Sequence, residues 1–566
     1  MKGLGASQGI AIGRVYIKKT AETQKRHITD IERELVSLSN AADASRKQLE
    51  EAVRLTFEKL GEKEADIFKA HILLLEDPEF AGSIERKIRE NSLCASWAVE
   101  ETAKELAALF EGIEDEYIKE RVSDIRDVSA RLIQNLSGSG CSGLGSINEP
   151  CIIAAKDITP SDMTELPRDK VLGIVSELGG VTSHTAIMSR VMGIPAVVAA
   201  DGFLNLVKAG DMLILDGYTG ELHINPSENM IAEYRQILED EERAMTELRQ
   251  YTGRNTVSRD GAAISIGCNI GTPRDISSVI ENDGEGIGLF RSEFLYMDRI
   301  AMPSEEEQYE AYKSVVENMR GRAVIIRTLD IGGDKQLPYL NIPKEENPFL
   351  GLRAIRYCLL EKDIFRTQLR AILRASAHGE VKLMLPMITG LDELLEARSE
   401  LNELMTELDR SNIKYDRGIE LGIMIETPAA ALISDILAEE ADFFSIGTND
   451  LIQYTIAVDR MNSSIADLYT PYHPAVLRLI KLVTDNGHKA GKWVGMCGEA
   501  AQDEKLVPIL LGMGLDELSV SPPKVLKLRR LISGISKEDM KVHADIILKL
   551  SNTEAVLRYI EEYVVS

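Results

Sequence analysis

The stretch "DFFSIGTND", Asp442–Asp450, reads as a short apolar strand that runs directly into an amide and a carboxylate. Apolar runs of roughly four to eight residues bounded by turn formers suit strands buried on both faces. Such a strand has no packing use for a carboxylate at its end. The run before it, "IELGIMIET" (Ile419–Thr427), has the same form and ends on Glu426. Working outward, the pattern recurs at "VKLMLPMI", "AVIIRTLDI", "GIGLFRSEF" and "AISIGCNI" on one side and at "WVGMCGE" and "ELSVSP" on the other. These are eight runs, each followed by a plausible helix, and they predict a (β/α)₈ barrel. Functional groups in such barrels gather where strands end. Here those ends carry Arg291, Glu293, Arg327, Asp330, Glu426, Asn449, Asp450, Cys497 and Glu499.

The first half is built differently. Residues 1–20 are strand-rich, with Ile10, Ile12, Val15 and Ile17 set among glycines and lysines. From Ile28 the apolar residues recur at helical spacing (Ile28, Ile31, Leu35, Leu38), and this continues to about Leu136 with one proline, Pro78. A subdomain of about four helices, packed as antiparallel hairpins, is expected there. After the Gly/Ser-rich loop "NLSGSGCSGLGSINEP", the β-like runs "CIIAA", "VLGIVSE", "IPAVVAA" and "DMLILDG" make a small α/β domain. The N-terminal strands are expected to return to it, which makes the helical part an insertion. "NPSENMIAEYRQILEDEERAMTELRQ" reads as one polar helix that bridges domains, with Asn225 as N-cap, Pro226 in its first turn and Glu228 closing a capping box.

At 566 residues the chain has room for three or four domains of roughly 150 residues each. A net charge of −26 argues against a general nucleic-acid binder and suits encounter with a basic partner. Six scattered cysteines with no CxxC pair indicate neither a zinc site nor a disulfide framework. The start lacks a secretory segment, and no apolar run reaches the roughly 20 residues of a membrane span. A cytoplasmic protein without membrane insertion is expected.

The strand ends permit specific chemistry. Glu426 and Asp450 close adjacent runs, and two carboxylates with open positions suit Mg²⁺. Arg291, Arg327, Arg353 and Arg460 supply forked donors for phosphate and carboxylate, so a small, strongly anionic phosphate ester fits. No GxxxxGK[ST] loop occurs, and "GEGIG" (Gly284–Gly288) precedes a strand rather than a helix, which removes both common nucleotide signatures. Cys497 is either a proton donor to a substrate carbon or a small apolar filler.

In the α/β domain, "ELGGVTSHTAIMSR" (Glu177–Arg190) presents His184 after a glycine pair and among Thr182, Ser183 and Thr185. A helix starting near Ser183 would favour a phosphoryl group at its N-terminus, and a neutral imidazole is a competent nucleophile near pH 7. The alternative is a histidine that caps a loop. His473, in "PYHPAV", is expected to be structural.

"GGVTSHTAIMSR", "GLFRSEFLYM", "IIRTLDIGGDK", "ENPFLGLRAIR", "GIMIETPAA", "FFSIGTNDLIQYTIAVDR" and "WVGMCGE" occur in the order seen in enzyme I of the bacterial phosphoenolpyruvate:sugar phosphotransferase system. The resemblance runs essentially end to end and includes "LLLEDPEF" and "DEYIKERVSDIRDV" in the helical part. The histidine loop and barrel motifs are also similar to pyruvate, phosphate dikinase and phosphoenolpyruvate synthase, but the chain has no segment for their ATP-binding domain. Nor is the N-terminal sensory domain of the nitrogen-related paralogues expected. Val181 departs from the pattern, standing where a polar or basic residue is common.

The resemblance implies a multidomain α/β protein: a phosphohistidine domain (1–20 and 144–224), an inserted all-α helical subdomain (21–143), a linker helix (225–250), and a C-terminal (β/α)₈ barrel (251–566) that binds phosphoenolpyruvate and forms a homodimer. It implies that Glu426 and Asp450 hold Mg²⁺, and that Arg291, Arg327, Arg353, Asn449, Asp450 and Arg460 bind the substrate. His184 takes the phosphoryl group, Cys497 protonates enolpyruvate to give pyruvate, and the phosphocarrier protein HPr receives phosphate from His184. His71, Leu73, Leu74, Glu76, Asp77, Arg121 and Asp124 lie in the stretches that match the carrier-docking part.

Overall fold

The computed structural model describes residues 1–564 except 19–22, 60–61, 111–115, 138–143, 182, 298, 300, 334–336, 338, 341, 344 and 463; the side chains of Arg121 and His184 also lie outside the described residues, as does Thr182. The chain forms two compact units, Met1–Arg243 and Ala244–Ser566.

The first unit holds a seven-stranded sheet of β1 (Leu4–Ser7), β2 (Ile10–Ile17), β3 (Cys151–Ala155), β4 (Val171–Ser176), β5 (Ala196–Val198), β6 (Met212–Asp216) and β7 (Glu221–Ile224). Its order is β1-β5-β4-β3-β2-β6-β7. β2 runs parallel to β3, with Val15 opposite Ile152, so the long helical excursion leaves and re-enters between neighbouring strands. β3 is buried at every position, as expected for a strand covered on both faces.

The excursion contains five helices among the described residues, Ile31–Lys59, Glu62–Leu75, Pro78–Asn91, Ala95–Phe110 and Glu116–Leu136, where about four were expected. The third ends at Ser92 in the left-handed region (φ 50°), a position that usually signals itself with glycine, so the sequence hides the break. The break at Pro78 is as read: Asp77 accepts from the backbone N–H of Glu79 (2.7 Å) and Phe80 (3.2 Å). Leu49, Phe68, Ile88, Val99 and Leu132 pack the bundle core. Ser161 donates to Asp127 at 2.8 Å, which ties the last helix of the bundle to the sheet side of this unit.

The helix expected to bridge domains spans Glu228–Arg249. Asn225 does not cap it. Its backbone is left-handed (φ 47°) and its Oδ1 accepts from Met212 N at 3.2 Å, which finishes the pairing of β7 with β6. Ser227 takes the cap, accepting from Met230 N at 3.3 Å.

The second unit is a closed parallel barrel of β8 (Ser265–Ile270), β9 (Gly286–Arg291), β10 (Val324–Arg327), β11 (Val381–Leu385), β12 (Glu420–Ile425), β13 (Phe444–Gly447), β14 (Val494–Cys497) and β15 (Glu517–Val520), with β15 pairing back to β8. All eight coincide with the runs read from the sequence. Alternate residues face the helices or the lumen. The apolar lumen cluster is small: Leu289, Ile325, Met384, Met424, Phe443 and Cys497, with Trp493 against it. No described helix is long and apolar enough to cross a membrane.

Candidate active site

The strand ends of the barrel converge on a chain of buried ion pairs. Arg327, the last residue of β10, donates through Nη2 to Glu293 Oε1 (2.6 Å), and its Nη1 lies 3.1 Å from Asp330 Oδ2. Asp330 also accepts from Arg353 Nη2 at 3.0 Å. Arg353 Nη1 reaches Asp450 Oδ1 at 3.2 Å and the Tyr454 hydroxyl at 3.2 Å. All of these charged side chains are less than a tenth exposed, so each charge is stable only through its partners. Asp330 fixes both guanidinium groups at once.

Glu426 follows β12 and is 1% exposed. Its Oε1 accepts from Met387 N at 2.6 Å. Burial, followed by the negative charges of Asp450 and Asp330, pushes its carboxyl up to about 8, against the pull of Arg327 and Arg353. A carboxyl in such surroundings takes either a proton or a cation. Among the described residues no group of three or more His, Cys, Asp or Glu forms a complete metal cage. Two hard oxygen donors nevertheless suit Mg²⁺, which fills its other positions with water and substrate oxygens.

The remaining rim residues are less constrained. Arg291 pairs in register with Arg327 on the neighbouring strand, but its side chain is exposed and stacks on Phe294, 5.2 Å from the ring centroid. Asn449 Oδ1 accepts from Glu499 N at 3.1 Å. Arg460 is half-buried, with its N–H donated to Gln453 at 3.1 Å. Cys497 ends β14 and points into the lumen, 2% exposed. Ser445 Oγ donates to its Sγ at 3.5 Å, while the thiol donates to Ile446 O at 3.8 Å. Burial pushes the thiol up to about 12, so it carries its proton at neutral pH.

In the other unit, His184 is the first residue of the helix His184–Met192, and Ser183 is its N-cap, with Oγ accepting from Ala186 N at 3.4 Å. Gly179 holds a left-handed turn (φ 98°) that side chains rarely adopt. Arg190 donates to the carbonyl of Val181 and pins the loop from the far end of its own helix.

Residues 245–537 match the family described as PEP-utilising enzyme, PEP-binding domain; residues 147–220 match its mobile domain and 2–121 its N-terminal part. The chain is 46% identical over 563 residues to the phosphoenolpyruvate-protein phosphotransferase of Priestia megaterium, covering 99% of this chain and 98% of that one. The chain belongs to the phosphoenolpyruvate-protein phosphotransferase family. Its relative from Bacillus subtilis is 46% identical over 564 residues, covering 99% of both. A solved structure titled as Enzyme I (nEIt) is 36% identical and covers 43% of this chain and 99% of that one, with a TM-score of 0.36.

Thr185, which the sequence sets beside His184, is buried and donates to Ile158 O at 2.5 Å. Ser183 caps the helix, so the two described hydroxyls bond backbone, one that of its own helix and the other the Ile158 carbonyl outside the loop. Asp330, read from the sequence only as a strand-end acid, and Tyr454, which the sequence analysis does not single out, both hold Arg353. Tyr454 had one available signal, its i+4 spacing from Asp450 on the helix Thr448–Ile456. His473 is structural as expected: it caps the helix Pro474–Lys489, with Nδ1 accepting from Ala475 N at 3.2 Å.

Proposed function

We propose that this chain, a phosphoenolpyruvate-dependent phosphotransferase of the sugar phosphotransferase system, moves the phosphoryl group first to His184 and then to a histidine of the carrier protein HPr. The observation that carries the reading is the buried Arg327–Asp330–Arg353–Asp450 chain beside Glu426. It holds two guanidinium groups in fixed positions at the mouth of a barrel, as recognition of a compact polyanion requires.

Arg327, Arg353, Arg291 and Arg460, with Asn449, would bind the phosphate and carboxylate of phosphoenolpyruvate. Glu426 and Asp450 would hold Mg²⁺, which when bound supplies positive charge against the phosphate oxygens. The neutral His184 imidazole attacks phosphorus in line, and the N-terminus of its helix favours the phosphoryl group it acquires. The pre-placed arginines meet the charge that spreads over the transferred group without reorganising. Cys497 gives the thiol proton to the methylene carbon of the enolate left by phosphoryl transfer, and pyruvate leaves.

The helical subdomain would dock HPr. His71 is buried there, with Nε2 3.0 Å from Asp124 Oδ1, so its part in docking would be to hold Asp124 in place. Leu73 is exposed and available for contact. A homodimer through the barrel and a cytoplasmic location complete the proposal.

The test is a chase. Phosphoenolpyruvate labelled in its phosphoryl group, with Mg²⁺, should load acid-labile label onto the protein, and added HPr should then remove it. Label that fails to load, or that stays when HPr is added, contradicts the reading.

A further inference from the structure

The lumen of the barrel holds a carboxyl that the mechanism does not use. Glu517, the first residue of β15, is buried, and its Oε2 has no hydrogen-bond partner among the described residues. Three glycines make the room for it. A Cβ at Gly267 or Gly288 would stand 2.6 Å from Glu517 Oε1, and one at Gly495 would stand 2.6 Å from Oε2. The unpartnered oxygen therefore looks across Gly495. In the barrel register Glu517 lies opposite Gly495, and Gly495 opposite Ser445, so the three share one lumen layer. Ser445 is itself 1% exposed, and its hydroxyl is the one that donates to Cys497 Sγ at 3.5 Å.

We propose that Glu517 and Ser445 return a proton to Cys497 after each turnover, along a lumen path opened by Gly495. This rests on the reading of Cys497 as the proton donor. Transfer of phosphate to the imidazole breaks the P–O bond and leaves the enolate of pyruvate, which is one proton short of pyruvate, so every cycle takes up one proton. The S–H bond of Cys497 breaks as the new C–H bond of pyruvate forms, which leaves a thiolate. The Ser445 O–H then gives its proton to sulfur and takes one from the Glu517 carboxyl, directly or over one water. Glu517 remains as carboxylate and is reprotonated from solvent at the other mouth of the barrel. That mouth is near at hand. Lys382, the charge acting on Glu517, pairs with the half-exposed Glu420 at 2.8 Å, and the Trp493 N–H donates to the same Glu420 at 3.4 Å. Burial raises the Glu517 carboxyl to about 7, a value at which it both holds and releases a proton under ordinary conditions. A merely space-filling residue among three glycines would be served equally well by an apolar side chain.

The first turnover separates the two roles, because the resting thiol already carries its proton. Rapid-quench pyruvate formation and steady-state cycling with HPr are measured for wild type, Glu517→Gln, Ser445→Ala and Cys497→Ala. Glu517→Gln and Ser445→Ala should keep a near-normal first turnover, then cycle roughly tenfold or more slowly with an enlarged solvent deuterium isotope effect. Cycling at the wild-type rate in both variants overturns the path. So does equal loss in the first and later turnovers, which marks a structural role. If Glu517→Gln fails to fold, Ser445→Ala decides alone. A normal first turnover in Cys497→Ala would instead remove the proton-donor reading on which the path depends.

Discussion

The barrel rim and the histidine loop place their functional groups by opposite means. At the rim, side chains hold side chains: Arg327 and Arg353 share Asp330, and each has a further acid of its own. In the loop, side chains hold backbone: Ser183 caps a helix, Thr185 binds a carbonyl, and Arg190 binds two. The first arrangement builds a rigid electrostatic template, costly to bury and costly to break. The second presents one residue, His184, at a helix start while every described neighbour is occupied with shape. On the proposed reading, substrate recognition would be sensitive to charge, and nucleophile presentation to backbone geometry.

That contrast is open to test, from the largest expected effect downward. Glu426→Ala should lower Mg²⁺-dependent turnover by on the order of 10²–10³-fold, measured across a metal titration. An unchanged metal dependence would break the rim side of the comparison. Asp330→Asn leaves two buried guanidinium groups short of charge and should cost about 3–5 kcal/mol of stability in denaturant unfolding, together with weaker phosphoenolpyruvate binding. A loss under about 1 kcal/mol would show that the rim is not held by this shared acid.

The Glu517 carboxyl sharpens the picture through pH. Its folded value, raised by burial to about 7 from an ordinary 4.5, makes its contribution complete below about 4.5 and lost as pH rises through 7. Wild type should therefore lose up to about 3 kcal/mol relative to Glu517→Gln between pH 4.5 and 8, seen as converging or crossing unfolding midpoints. Parallel curves would contradict the burial argument. The smallest effect belongs to the loop: Thr185→Val should cost about 1–3 kcal/mol for the unsatisfied Ile158 carbonyl while phosphorylation survives within a few-fold. Loss of phosphorylation in a folded Thr185→Val would restore the hydroxyl to the anion site.

The same contrast explains what the sequence made legible. The eight barrel strands could be read because fully buried parallel strands are short, continuous apolar runs, and the rim because acids and arginines at their ends have no packing use. What stayed hidden depends on partners distant in the chain. Nothing near Asp330 announces that it bridges Arg327 and Arg353, and nothing near Thr185 points to the Ile158 carbonyl. Glu517 reads locally as a polar strand start. Its burial is decided by Gly267, Gly288 and Gly495, each on a different strand. The cap at Ser227 and the helix end at Ser92 escaped because left-handed backbone at Asn225 and Ser92 lacks its usual glycine signal.

The central claim is that phosphoenolpyruvate held at the barrel rim phosphorylates His184. Its most direct test is mass spectrometry of the intact protein after brief exposure to phosphoenolpyruvate and Mg²⁺, followed by fragment mapping under conditions that preserve phosphoramidates. The account predicts one added phosphoryl group per chain, located on His184 and absent from His184→Ala. Phosphate on any other residue, or the same mass gain in His184→Ala, would contradict it.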